Sequence, residues 1–219
     1  KHQVVSGKAQ QLHPAGAFWG HKYVKALVWA DVPALGYGTC TLRERPLADV
    51  PDPAEGYPRV ERPDVFVLDN GLVQITFDGA SMAIRSLVDL ATGREYADPA
   101  RPAGVFRLID EDTARGMTSW IVGRHMGIRD LNQDVRVAGA SVGRDQLRQW
   151  ICYAVAFGNS RLDVTVSLDH GSSRLDYVVE CDWQEMAQRN ISIPQLNFHL
   201  PFAYHCGTYR YDVPFGVVD

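Results

Sequence analysis

The chain lacks the features that mark several large classes of protein. A formal net charge of -4 over 219 residues leaves no basic excess for neutralising phosphates or anionic lipid headgroups. No apolar run approaches the roughly 20 residues that a membrane-spanning helix needs, and no signal peptide is recognisable. We therefore expect no nucleic-acid partner, no membrane partner and a cytoplasmic location.

Cysteine is scarce and shows neither a disulfide pattern nor a metal-binding pattern. The four cysteines are widely separated along the chain: Cys40, Cys152, Cys181 and Cys206. Because none forms a C-x-x-C pair and two lie in patterned apolar stretches, we expect buried, reduced thiols. The closest metal-type grouping, His199, His205 and Cys206, has the spacing of no standard zinc site. We expect this chain alone to bind no metal.

Sustained helical periodicity is also absent, and the patterns that are present have the period of β-strands. Apolar and polar residues alternate in Leu162 to Asp169 and again in Leu175 to Trp183. With the turn-forming residues 170–173 between them, these stretches predict an antiparallel hairpin. Ile151 to Phe157 is apolar at nearly every position, which is typical of a central strand buried on both faces. Only Gln184 to Arg189 favours a short helix.

Further strands are expected along the whole chain. They are Tyr23 to Ala30, Leu35 to Arg43, Asp64 to Asp69, Leu72 to Asp78, Ala83 to Leu90, Gly104 to Ile109 and Val135 to Ala140. Asn70-Gly71 and Thr92-Gly93 predict tight turns between some of them. With 46% hydrophobic residues the chain can fill a large core. So many strands predict an all-β protein with two packed antiparallel sheets.

Proline marks one boundary in the chain. Residues 44–63 are rich in proline and acidic residues and have no periodic pattern, as in a linker or an extended wrap. We therefore expect a small N-terminal β element at residues 1–43, a linker at 44–63 and a main β domain at 64–219. Because the sequence starts without methionine and stops after a strand-like run, we expect the main domain to be truncated at its C-terminus.

Two glycine motifs carry little chemical information. Gly139 to Gly143 matches the G-x-S-x-G nucleophile elbow, but an elbow needs a strand that turns into a helix. Another strand follows here, so the stretch predicts a glycine-rich hairpin turn. Gly36-Tyr37-Gly38 lacks the third glycine and the helix that hold a pyrophosphate. Nucleotide binding is therefore not expected.

Asp182 and Glu185 are the carboxylates with the best case for chemistry. Glycoside hydrolysis uses paired carboxylates, yet Asp182 lies on the polar face of a strand and Glu185 beyond its end. We favour a structural role, in which the pair anchors the following turn or binds an arginine such as Arg210. Trp120 and Trp183 offer rings on which a sugar can stack. Trp183 is more typical of a core, whereas Trp120 remains a candidate for sugar contact.

Six stretches, in this order, resemble the C-terminal β region of glycoside hydrolase family 38 α-mannosidases. They are Val32 to Thr39, Leu68 to Gly71, Ile84 to Asp89, Thr92 to Glu95, Asp182 to Glu185 and Tyr211 to Gly216. The resemblance extends from about Tyr23 to the end of the chain. It implies a large β supersandwich of the galactose-mutarotase type, preceded by a small β element.

The resemblance also implies a function for the chain. Family members are retaining glycosidases, in which an aspartate near a zinc ion attacks the anomeric carbon and an acid carboxyl protonates the leaving group. That machinery belongs to an N-terminal catalytic domain, which no stretch of this chain resembles. The expected partners are therefore the catalytic and helical domains of the same polypeptide and a carbohydrate substrate, with zinc in the catalytic domain.

For the chain itself the resemblance implies a supporting part without catalytic residues, inactive on its own. Trp120 would then lie at the rim of the sugar pocket. A face that docks against the catalytic domain would be apolar, so self-association is a further expectation for the isolated chain.

Two other functions stay open from the sequence. A stand-alone carbohydrate-binding module would use Trp120 and the aromatic stretch Tyr209 to Tyr211. A mutarotase-like sugar epimerase would use a histidine and a carboxylate as acid and base, with His170, His199 or His205 as the candidate.

Overall fold

The chain is built from short antiparallel strands. The computed structural model describes residues 2–9, 22–41, 63–114, 121–189, 191–208 and 210–218. In these ranges the strands are β1 (His2–Ala9), β2 (Lys22–Val28), β3 (Val65–Asp69), β4 (Val73–Asp78), β5 (Ile84–Asp89), β6 (Arg94–Glu95), β7 (Val105–Glu111), β8 (His125–Asp130), β9 (Val135–Ser141), β10 (Arg148–Phe157), β11 (Ser160–Asp169), β12 (Leu175–Asp182), β13 (Ile193–His199), β14 (Tyr211–Val213) and β15 (Gly216–Val218). The described ranges contain no helix, and accordingly none long and apolar enough to span a bilayer.

The strands pair into two four-stranded sheets, one three-stranded sheet and two hairpins. The four-stranded sheets have the orders β3-β4-β5-β6 and β12-β11-β10-β9, and the three-stranded sheet has the order β13-β7-β8. The hairpins are β1-β2 and β14-β15, and every strand pair is antiparallel. The prediction of an all-β antiparallel fold is confirmed.

A single hydrophobic cluster connects the three larger sheets. Phe77 of β4, Ile151 of β10 and Leu162 of β11 are fully buried in it, and Phe106 of β7 joins them at 3% exposure. Because side chains from all three sheets fill one core, the sheets are packed as the layers of a β-sandwich.

Two amide side chains, Gln149 buried and Asn70 half-buried, fix the turn between β3 and β4 against the other sheet. Gln149 of β10 donates from Nε2 to the backbone oxygen of Asp69 (2.7 Å), and its Oε1 accepts from the backbone nitrogens of Asp69 and Gly143 (3.1 and 3.2 Å). Asn70 donates from Nδ2 to the backbone oxygens of Asp169 and Ser172 (2.7 and 2.6 Å). The predicted Asn70-Gly71 turn is thus a point where the two sheets are joined.

The predicted hairpin of β11 and β12 is confirmed, but β12 is less buried than its alternation suggests. It pairs with β11 from Leu168↔Leu175 to Arg161↔Asp182. Val179 is 40% exposed and Cys181 is also exposed. These side chains are exposed because β12 is an edge strand of its sheet.

The prediction that Ile151 to Phe157 is buried on both faces is wrong. Ile151, Tyr153 and Val155 point into the core, whereas Cys152 on the other face is only half-buried. That face carries a shallow cleft of about 210 Å³ beside Cys152 and Thr165. Side chains such as Cys152 and Ala154, on the face of β10 that points away from the core, are apolar but only half-buried.

Three further expectations need correction. Residues 35–41 of the predicted Leu35 to Arg43 strand form a turn and irregular structure, and Gln184 to Arg189 forms no helix. Gln184 and Glu185 instead bind the turn between β10 and β11, and these tertiary contacts override the weak helical preference of so short a segment. All four cysteines are reduced, as expected, but none is buried.

The predicted division of the chain stays a prediction. Nearly all of the proline-rich stretch at 44–63 lies outside the described residues. Before it, Trp29 follows β2 and its ring packs edge-on against that of His170 at 5.4 Å between centroids.

Candidate functional site

The two carboxylates singled out in the sequence have separate hydrogen-bond partners. Asp182 is exposed at the end of β12 and accepts a hydrogen bond at Oδ1 from Nε2 of Gln184 (2.6 Å). Glu185 accepts at Oε1 from the backbone nitrogen of Asn159 and from Oγ of Ser160, both at 3.0 Å. Glu185 thus holds the turn between β10 and β11, which precedes it in the chain, rather than a turn that follows.

The residues around Glu185 leave space for its carboxylate and donate hydrogen bonds to it. Gly158 has φ +52, and a Cβ there would lie 2.2 Å from Oε1 of Glu185. Ser160 is 4% exposed and its hydroxyl oxygen also accepts from the backbone nitrogen of Gln184 (2.8 Å). Trp183 packs beside Phe157 at 6.0 Å between ring centroids and remains 37% exposed. Trp183 therefore only partly fills the core role expected of it.

The candidate rim residue Trp120 lies outside the described residues, as does Tyr209. Residues 111–112 and 123–124, on either side of Trp120 in the sequence, are described and are hydrogen-bonded to one another. Glu111, 4% exposed, accepts hydrogen bonds from the backbone nitrogen of Gly123 and from Nε2 of Gln195. The backbone nitrogen of Asp112 donates to the oxygen of Arg124 (2.9 Å).

The three-stranded sheet has one face with a row of polar side chains that was not predicted from the sequence. On β7, Phe106 and Leu108 belong to the core cluster, so Arg107 lies on the opposite side of the sheet. Strand register places Asn197 of β13 and Asp130 of β8 directly beside Arg107. We call this side of the sheet the polar face and define it by its polar side chains Arg107, Glu111, Asp130, Gln195, Asn197 and His199. Val105, Ile109 and Ile128 lie on the same side, the first two at 2% and 6% exposure.

On the polar face Arg107 is paired with Asp130, Glu111 is buried and accepts hydrogen bonds from neutral groups, and the histidine is neutral. Arg107 Nε lies 2.6 Å from Asp130 Oδ1, with the two side chains 21% and 40% exposed. Burial lowers the pKa of His199 below its ordinary value of 6.5, and the positive charge of Arg107 lowers it further, while Asp130 acts in the opposite direction. The imidazole is therefore uncharged at pH 7.

The polar face had a signal in the sequence that was missed. Gln195, Asn197 and His199 alternate with Leu196 and Phe198, the period-two pattern of a strand with one polar side. Strand β13 nevertheless does not appear among the predicted strands. Its pairing with β7 also joins residues as far apart in sequence as Glu111 and Gln195, which are 84 positions apart.

Among the described residues, no three histidine, cysteine or acidic side chains come together as metal ligands would. This part of the chain therefore does not fit a zinc ion. Of the histidines considered for an epimerase, His199 shares the polar face with Glu111 and Asp130. His170 instead packs against Trp29, and His205 is exposed.

The fold and the site together define the class of this protein as an antiparallel β-sandwich domain. Its two candidate carboxylates, Asp182 and Glu185, hydrogen-bond different partners. Residues 68–219 match the family model described as the glycosyl hydrolases family 38 C-terminal domain. The chain belongs to this family, and the resemblance found in its motifs is confirmed. It is thereby a non-catalytic part of a glycoside hydrolase family 38 enzyme. No curated protein matches the chain.

Proposed function

We propose that the chain is the C-terminal β-sandwich part of a retaining α-mannosidase that removes terminal α-mannosyl residues. The observation that carries this proposal is the family match over residues 68–219. The proposed role is support of the catalytic domain, with Trp120 at the rim of its sugar pocket.

The hydrogen bonds of Glu185 support a structural rather than a catalytic role for this chain. A retaining glycosidase needs a nucleophile and an acid whose carboxyl groups lie about 5–5.5 Å apart across the glycosidic bond. Glu185 is already engaged by Asn159 and Ser160, and Asp182 by Gln184. We therefore assign no step of the reaction to these residues.

We propose that the reacting groups and the zinc ion belong to a catalytic domain of the same polypeptide, which a helical domain joins to this one. Exposed apolar side chains support a docking partner: Val178 is 58% exposed and Met186 81%. Such a surface is stabilised by burial against another domain. A cytoplasmic location, and the absence of nucleic-acid and membrane partners, complete the proposal.

The proposed specificity is tested on the longer polypeptide that contains this chain. Its rates are measured on the 4-nitrophenyl α-mannoside, β-mannoside, α-glucoside and α-galactoside. The proposal requires the α-mannoside to have a kcat/KM well above those of the other three. Preference for another sugar, or for the β-anomer, would contradict the α-mannosidase assignment and leave the family membership intact.

A further inference from the structure

We propose that the polar face of the β13-β7-β8 sheet binds carbohydrate, with one hexopyranose lying across Asn197, Arg107 and Asp130. The inference rests on the proposed function, because membership of a glycosidase family makes a neutral sugar the relevant ligand. It deepens that function by assigning a sugar contact to described residues of this chain.

The three side chains form a row that matches the dimensions of a sugar ring. Asn197, Arg107 and Asp130 are register partners on three neighbouring strands. Adjacent strands lie about 4.8 Å apart, so the row spans about 10 Å and carries an amide, a guanidinium and a carboxylate. These planar groups supply donors and acceptors together, as adjacent ring hydroxyls require.

The row retains hydrogen-bonding capacity. Asn197 is exposed, and within the described residues its side chain makes no hydrogen bond. Arg107 uses Nε to hold Asp130, which leaves the terminal nitrogens of its five-donor fork. The Arg107–Asp130 pair has no net charge and His199 beside it is uncharged. The row of Asn197, Arg107 and Asp130 therefore carries no net charge, which suits a neutral sugar.

An apolar side chain and an open cleft lie next to the row. Ile128 is 59% exposed and is the register partner of Ile109, one row along the same face. Arg107 and Asp130 line an open cleft of about 570 Å³ together with Ile128, Arg129 and Gln133, enough for a monosaccharide. Ligand sites combine apolar surface with a few placed polar groups, and here Ile128 would contact the C–H side of the ring.

The test titrates the 219-residue chain with methyl α-D-mannopyranoside and follows saturation transfer to the sugar and amide shifts of the protein by NMR. We expect weak, millimolar binding, with shifts at Asn197 and Asp130 and with no matching response to glycerol. Asn197→Ala and Asp130→Ala should each weaken binding about 5-fold, the effect of roughly one hydrogen bond.

Asp163→Ala is the matched control for Asp130→Ala. Asp163 also pairs with an arginine, Arg161, at 2.6 Å, and its side chain is 52% exposed. Three results would overturn the proposal. They are equal sugar affinity of Asp130→Ala and Asp163→Ala, an unchanged affinity in Asn197→Ala, and no sugar binding at tens of millimolar. Asn197→Ala removes an exposed side chain, so the folded protein is retained, and its thermal unfolding verifies this.

Failure of this surface is distinguishable from failure of the proposed function. If the longer polypeptide hydrolyses α-mannosides and this chain binds no sugar, the polar face alone is rejected. If the longer polypeptide does not hydrolyse α-mannosides, the proposed function is rejected whatever the titration gives.

Discussion

Gln149 is a buried polar residue whose value to the fold comes from partners far away in the chain. It is 1% exposed and hydrogen-bonds the backbone of Asp69, 80 residues earlier. Gln149→Leu should lower the free energy of unfolding by about 3 kcal/mol, because it leaves buried backbone groups unsatisfied. Urea denaturation measures this. Gln133→Leu, at an exposed position, should change the free energy of unfolding by no more than about 0.5 kcal/mol. Equal losses of stability in the two variants would contradict the account.

Glu185 and Gly158 give a second test at single residues. Gly158→Ala places a Cβ against the Glu185 carboxylate, which must then leave its hydrogen bonds to Asn159 and Ser160. Gly71→Ala is the matched control, since its φ is +85 and nothing lies within 4 Å of the new Cβ. In thermal denaturation we expect Gly71→Ala to lose about 1 kcal/mol of stability from backbone strain. Gly158→Ala should lose distinctly more. Equal losses would show that the Glu185 contact is unimportant.

At the level of residues, the sequence predicts features that depend on neighbouring residues, but it does not predict which residues distant in the chain become partners. The Asn70-Gly71 turn follows from the conformational preferences of those two residues. Nothing near Gln149 or Glu111 in the sequence shows that each lies in a buried position with a backbone partner. Such positions are set by tertiary pairing, which a single sequence does not display.

At the level of elements, two aspartates that brace strand ends predict a dependence of stability on pH. Hydrogen bonds from Arg144 and Arg148 hold the pKa values of Asp69 and Asp169 below the ordinary 3.8. Because the folded-state pKa is the lower one, this stabilisation is complete above pH 3.8 and is lost as pH falls through the folded-state values. The free energy of unfolding should therefore decrease below about pH 4, as chemical denaturation at stepped pH would measure.

Asp169→Asn removes one of these two titrating groups. The variant should be less stable than the parent chain at pH 7 and should show a shallower decrease in the free energy of unfolding on acidification. Asp163→Asn is the control, since Asp163 also pairs with an arginine but its side chain is 52% exposed, against 35% for Asp169. An identical acid decrease in all three proteins would contradict the role assigned to Asp169.

Strand prediction succeeded where neighbours in sequence are neighbours in space. β10, β11 and β12 are joined by short turns, so alternation within each strand carried the information. β13 pairs with the distant β7 and contains Pro194, which an edge strand tolerates but which weakens a strand prediction. The polar face requires that pairing, and for this reason it emerged only from the structure.

At the level of the whole molecule, the exposed apolar side chains predict self-association of the isolated chain. Val178 on edge strand β12 and Met186 just beyond it are 58% and 81% exposed. Light scattering should show association that weakens in a Val178→Thr, Met186→Gln double variant, because less apolar surface remains to be buried. A strictly monomeric chain at high concentration would count against a large docking surface.

The central claim, that this β-sandwich supports catalysis without performing it, has one direct test. Hydrolysis of a chromogenic α-mannoside is measured for the 219-residue chain and for the longer polypeptide, each with added zinc and with a chelator. The account predicts zinc-dependent hydrolysis by the longer polypeptide and none by the chain. Hydrolysis by the chain itself would contradict it and would return attention to Asp182, Glu185 and His199 as reacting groups.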